Sequence, residues 1–154
     1  MEHSEPMTPF ESYSRGGREP LGSPRTGDGT CRHGYGPPVF SQCGSACVYC
    51  GRELLDSYEA WLDVSIDHVV PRSVSWYSRC RPWVDDLFNL ATCCRACNEF
   101  LNQFKCGDSE PATLNAFLTI RDRVFAAKHA HANQRHNEER SWYDRWTKNG
   151  RPAI

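Results

Sequence analysis

Nine cysteines stand in this 154-residue chain, and four of them form two Cys-x-x-Cys pairs, Cys47 with Cys50 and Cys94 with Cys97. Two residues between thiols let one tight turn present both sulfurs, and four thiolates satisfy a tetrahedral Zn²⁺. Spacing selects Cys94 over its neighbour Cys93, because only Cys94 stands three residues before Cys97. The 43 residues between the pairs exceed the gap of a simple zinc ribbon, so something is inserted between the halves. Cys43, Cys80 and Cys106 have no matched partner and read as core or surface thiols. Cys31 and His33 could join Cys43 in a metal site, but they read as ordinary residues of a loose segment.

A second set of residues lies within the insertion. Asp67 and His68 stand side by side, followed by Val69, Val70 and Pro71. In a regular strand such neighbours point to opposite faces. One can then bind a cation while the other addresses a water. Asn89 comes five residues before Cys94, and Asn98 directly follows Cys97. Taken singly, each asparagine reads as a turn or cap residue. A neutral histidine near pH 7 suits removal of a proton from water. One carboxylate with one amide oxygen makes a sparse, hard-oxygen site for Mg²⁺ or Mn²⁺.

These residues need elements to position them. Leu62, Val64 and Ile66 alternate with Asp63, Ser65 and Asp67, which predicts a half-buried strand that Pro71 ends or turns. Cys47 to Cys50 followed by Gly51 reads as a zinc knuckle, with the glycine where the backbone reverses. Residues 73–86 read as a long, irregular, aromatic loop, and a short helix is expected near Arg95 to Phe104. Beyond Ser109 the pattern turns helical. Ser109 or Thr113 can cap, Pro111 suits a first turn, and Leu114, Phe117, Leu118, Val124 and Phe125 keep helical spacing. A second helix is expected over roughly 133–146, its Trp142, Tyr143 and Trp146 forming a stripe of core type. No internal repeat is found.

Composition narrows the class. Hydrophobic residues make up 39% of the chain, mean hydropathy is −0.66, and no apolar run is long enough to span a bilayer. The first residues lack a basic, then apolar, secretory pattern. A reducing, cytoplasmic setting is therefore expected, in which thiols serve metals rather than disulfides. A net charge of −1 excludes a uniformly basic binder. The positive charge gathers late, with 8 basic and 5 acidic residues from position 110 onward. The first 38 residues hold 7 Gly and 6 Pro without periodicity. The expected organisation is a disordered arm over 1–38, a metal-stapled domain over 39–108 and a helical extension over 109–154.

The order Cys-x-x-Cys, Asp-His-x-x-Pro, Asn-Leu, Cys-x-x-Cys-Asn over about residues 47–105 resembles the HNH endonucleases, in the subgroup with a four-cysteine zinc. The resemblance implies an α+β, zinc-stapled ββα-metal fold and a metal-dependent endonuclease. Such an enzyme hydrolyses phosphodiester bonds in DNA and leaves 5′-phosphate and 3′-hydroxyl ends. It implies that His68 is the general base, and that Asp67 and Asn98 are ligands of one catalytic Mg²⁺ or Mn²⁺. Asn89 would tie the hairpin loop and steady the base. Cys47, Cys50, Cys94 and Cys97 would hold structural Zn²⁺. The chain departs from the family where a lysine often stands three residues after the last motif position, here Leu101, and in its loop after Pro71.

Arg72, Arg79, Arg81, Arg95 and Lys105 lie near the motif and are candidate phosphate contacts. Trp76, Tyr77 and Trp83 could stack on bases or close a core over the loop. The rival reading is a zinc-containing nucleic-acid-binding or protein-interaction module without catalysis. A third is a structural zinc protein whose C-terminal helices dimerise. No membrane partner is expected.

Overall fold

The computed structural model describes residues 36–148. Cys31, His33 and most of the expected arm lie outside that range. The elements run α1 (Gly36–Cys43), α2 (Tyr58–Leu62), β1 (Val64–His68), α3 (Tyr77–Val84), β2 (Leu90–Cys94), α4 (Arg95–Leu101) and α5 (Leu114–Lys148), with a 3-10 turn at Leu87–Asn89. Residues 36–38, expected in the arm, belong instead to α1.

β1 and β2 form a two-stranded antiparallel sheet, with Val64 opposite Cys94, Asp67 opposite Ala91 and His68 opposite Leu90. Two strands alone cannot bury enough surface to be stable, so both faces are covered. On one face Val39 of α1 packs with Ile66, Leu87 and Leu90. The larger core joins Val64, Ala91 and Cys93 of the strands to Leu101 of α4 and to Phe117, Val124, Phe125 and Ala132 of α5. The core therefore does not stop near residue 108, and the C-terminal helix completes it. The result is a small α+β domain built on a hairpin, a following helix and a cluster of four cysteines.

Three expectations need correction. Residues 73–86 are not all loop, since α3 occupies Tyr77–Val84. This helix is kinked at Cys80, two residues before Pro82, whose ring removes a donor and crowds the preceding turn. The two C-terminal helices are one 35-residue helix, α5. Residues 126–132 contain four alanines and neither Gly nor Pro, so nothing breaks the helix between them. Thr113 caps it, its Oγ1 accepting from Ala116 N at 3.1 Å, while Pro111 precedes the cap instead of filling the first turn.

The third correction concerns the distal stripe. Trp142, Tyr143 and Trp146 are 55%, 59% and 55% exposed, so helical spacing there marks a solvent face and not a core. Buried positions of α5 end at Ala132.

Around Phe117 the loop aromatics close the core. Trp76, Trp83 and Phe88 lie with ring centroids 6.4, 6.0 and 5.9 Å from it. The buried Trp76 also donates its indole N–H to Asp108 O at 2.8 Å. Trp76 and Trp83 are thus core-closing side chains. Phe117→Ala is expected to cost about 3–5 kcal/mol. Truncation after Arg140 should leave the denaturant midpoint within error, because it removes exposed surface. Urea unfolding followed by circular dichroism checks both.

Candidate functional site

Four thiols converge first. The Sγ atoms of Cys47, Cys50, Cys94 and Cys97 all lie within 4.8 Å of one another. Cys47 and Cys50 sit on the knuckle, where Gly51 takes a φ of +73°, and Gly51 N donates to Cys47 O at 2.8 Å. That positive φ is easily reached only by glycine. Cys94 ends β2 and caps α4, accepting from Cys97 N at 3.4 Å. The Cys50–Cys94 sulfur separation is 3.8 Å. A tetrahedron with Zn–S of about 2.3 Å has edges of about 3.8 Å, so the donors fit that ion.

Crowded thiols do not all ionise without a cation. Hydrogen bonding, from Cys47 first, pulls Cys94 down to about 7. Hydrogen bonding with Cys50 and then Cys94 pushes Cys47 far above its ordinary value. Cys93 lies outside the cluster and is fully buried, and burial raises its thiol strongly. Cys43 contacts Thr92 Oγ1 at 2.9 Å and accepts from Thr92 N at 3.1 Å, a structural role beside β2.

Asn89 is wholly buried, and all its side-chain bonds go to backbone. Oδ1 accepts from Val70 N at 2.9 Å, and Nδ2 donates to Val70 O at 3.0 Å and Val84 O at 2.7 Å. One amide thus fastens the start and the end of the segment linking the strands.

The strand alternation places Asp67 and His68 on opposite faces of the sheet. His68 Nε2 lies 3.3 Å from Asp85 Oδ1. The pair lacks hydrogen-bonding geometry, and among the described residues Nε2 is the buried side-chain atom left without a hydrogen-bond partner. Asp85 also accepts from Arg72 Nε at 2.7 Å, Tyr77 Oη at 2.9 Å and Arg81 Nε at 3.4 Å. Burial acts to raise its carboxyl, but His68, Arg72 and Tyr77 outweigh that and hold it well below the ordinary carboxylate range.

Asp67 faces the other way. Its Oδ1 and Oδ2 accept from Lys128 Nζ at 2.9 and 2.7 Å, and Oδ2 also accepts from Tyr49 Oη at 2.6 Å. Burial, then the Asp67 charge, pushes the Tyr49 phenol well above its ordinary value, so it remains a donor. Asn98 lies half-buried on α4, and among the described residues its side chain makes no hydrogen bond to Asp67. Both Asp67 oxygens being committed to an ammonium, Asp67 and Asn98 as folded do not fit a divalent ion. Among the described residues, only the four cysteines form a metal-ligating group of three or more His, Cys, Asp or Glu.

The candidate phosphate contacts separate. Arg72 and Arg81 meet at Asp85 beside His68. Arg79 pairs with Glu110 at 2.6 Å, Arg95 donates to Leu62 O at 3.0 Å, and Lys105 is exposed after α4.

Sequence reasoning missed Asp85, Tyr49 and Lys128. For Lys128 a signal was present: it falls on the stripe of Phe117, Val124, Phe125 and Ala132, where a lysine must find a buried partner. For Asp85 and Tyr49 no local pattern existed.

Residues 47–103, just over a third of the chain, match the family model described as HNH endonuclease. No curated protein and no solved structure matches significantly. The matched segment carries the four clustered cysteines near its two ends. No helix among the described residues is long and apolar enough to cross a membrane.

Purified protein should carry close to one tightly held Zn²⁺ per chain by elemental analysis. Cys97→Ser should lose it and unfold the hairpin, since structural zinc supplies on the order of 10 kcal/mol of folding energy in small domains. Asn89→Ala strands one N–H and two carbonyls in the interior. It should cost roughly 2–4 kcal/mol in chemical denaturation without changing zinc content.

Proposed function

We propose that this chain is an endonuclease that hydrolyses phosphodiester bonds in DNA, with His68 as general base. The HNH match supports a nuclease-type function with metal binding. The observation that carries the finer reading is His68 itself, whose Nε2 lies 3.3 Å from Asp85 Oδ1 without hydrogen-bonding geometry, where Arg72 and Arg81 also meet Asp85.

In this reading the water oxygen attacks phosphorus as His68 takes its proton. The bond from phosphorus to the 3′ oxygen breaks, and that oxygen leaves with a proton from solvent. The ends are 5′-phosphate and 3′-hydroxyl. Arg72 and Arg81, with side chains 41% and 64% exposed, can turn from Asp85 toward a phosphate without crossing the core. Their charge then stabilises the negative charge that develops on the phosphoryl oxygens. Asn89 keeps the loop carrying Arg72 in register with His68. Arg79, Arg95 and Lys105 extend the positive contacts along the strand. Asp67 and Asn98, to which the family resemblance gives a Mg²⁺ or Mn²⁺ ion, do not fit one as folded. Asp67 being paired with Lys128 in this state, no step is assigned to that ion.

The same pair favours a second reading, a nucleic-acid-binding module that has lost catalysis. Cleavage of plasmid and single-stranded DNA, with Mg²⁺, Mn²⁺ or EDTA, separates the two. Nuclease activity should fall about 10²–10⁴-fold in His68→Ala while zinc content and DNA affinity persist. Equal cleavage by wild type and His68→Ala would sink the assignment. Binding without cleavage by either protein would establish the second reading. Arg72→Ala and Arg81→Ala should each lower the salt dependence of binding by about one counterion.

A further inference from the structure

Lys128 is the one buried lysine among the described residues, with 1% of its surface exposed. An ammonium has three donors and no acceptor, and here each donor has an oxygen: Asp67 Oδ1 at 2.9 Å, Asp67 Oδ2 at 2.7 Å and the carbonyl of His68 at 2.8 Å. The Phe104 ring lies on another side, its centroid 5.9 Å from Nζ. Two carboxylate oxygens and a backbone carbonyl are hard donors, the class that magnesium and manganese ions take. The ammonium occupies an oxygen pocket that would otherwise suit a small hard cation. Its tether is α5, whose Val124, Phe125 and Ala132 are built into the core on either side of it.

We propose that Lys128 is a tethered cation holding the place of a divalent ion at Asp67, and that such an ion binds there only when Lys128 is withdrawn. Lys128 already uses both Asp67 oxygens, and its ammonium would repel a divalent ion strongly in a buried site that salt does not screen. The proposal rests on the reading of Asp67 as the carboxylate of the nuclease site. It makes α5 a determinant of that site's charge, although the helix lies outside residues 47–103.

The test reads ion binding apart from cleavage. Zinc-loaded full-length protein is titrated with Mn²⁺, and free Mn²⁺ is followed by electron paramagnetic resonance. Wild type and Asp67→Asn should bind alike, with no Asp67-dependent site tighter than ~1 mM. Lys128→Met should gain one Mn²⁺ per chain at least about ten-fold tighter, and Lys128→Met/Asp67→Asn should lose it. Lys128→Gln, which keeps donors without charge, serves as the second variant. Zinc content and near-ultraviolet circular dichroism report whether each is folded.

An Asp67-dependent Mn²⁺ site in the wild type overturns the proposal. So does a folded Lys128 variant that gains none. If both Lys128 variants fail to fold, the pair is structural and the proposal falls. Cleavage is assayed in parallel. Lys128→Met that binds Mn²⁺ yet cuts no nucleic acid counts against the nuclease reading while leaving the tethered cation standing.

Discussion

The convergence of four thiols is the constraint on which the domain depends. Cys47 and Cys50 belong to a knuckle that meets the sheet through Val48 N to Thr92 O at 3.0 Å and Tyr49 Oη to Asp67 Oδ2 at 2.6 Å. Cys94 and Cys97 belong to the end of β2 and the first turn of α4. Without a shared cation, crowded thiols resist ionising together, and the knuckle is left to its hydrogen bonds with the sheet. With one, the exit of β2 and the start of α4 are fixed. Register then carries the restraint along the hairpin, from Val64 opposite Cys94 to His68 opposite Leu90. The position of the candidate base thus descends from a metal-ligating cluster at the far end of the same two strands.

The second layer of organisation is polar and long-range. Asn89 fastens both ends of the insertion with one amide, and Asp85 gathers Arg72, Tyr77 and Arg81 beside His68. Lys128 reaches Asp67 across 61 residues of sequence. Desolvated groups of this kind are costly when unpaired and firm when paired. The two faces of β1 therefore carry different chemistry. The Asp67 face is closed by a buried ion pair, while the His68 face meets arginines that still reach solvent.

What could be read in advance follows from how local each signal is. The two Cys-x-x-Cys pairs were legible because each depends on one turn, and Cys94 was separable from Cys93 by spacing alone. The alternation around Ile66 gave β1, since a half-buried strand writes its faces into consecutive residues. Helical spacing at Trp142, Tyr143 and Trp146 was read correctly as helix and wrongly as core. Periodicity reports which residues share a face, not what covers it. α3 was hidden by Pro82, which argues against a helix unless a kink is allowed. The Lys128–Asp67 pair was out of reach because no periodicity links residues on separate elements.

A helix of 35 residues is about 52 Å long at 1.5 Å per residue. Its buried positions stop at Ala132, and one turn on Arg135 and His136 still touch α4, His136 Nε2 lying 3.1 Å from Cys97 Sγ and both side chains meeting the Phe100 ring. About a third of the helix, beyond His136, therefore projects as a cantilever. A sideways load on that free end would be resisted first at His136, and only then deeper at Ala132 and Lys128. The fulcrum thus lies against the four-cysteine cluster, and the residue that neutralises Asp67 sits two turns behind it.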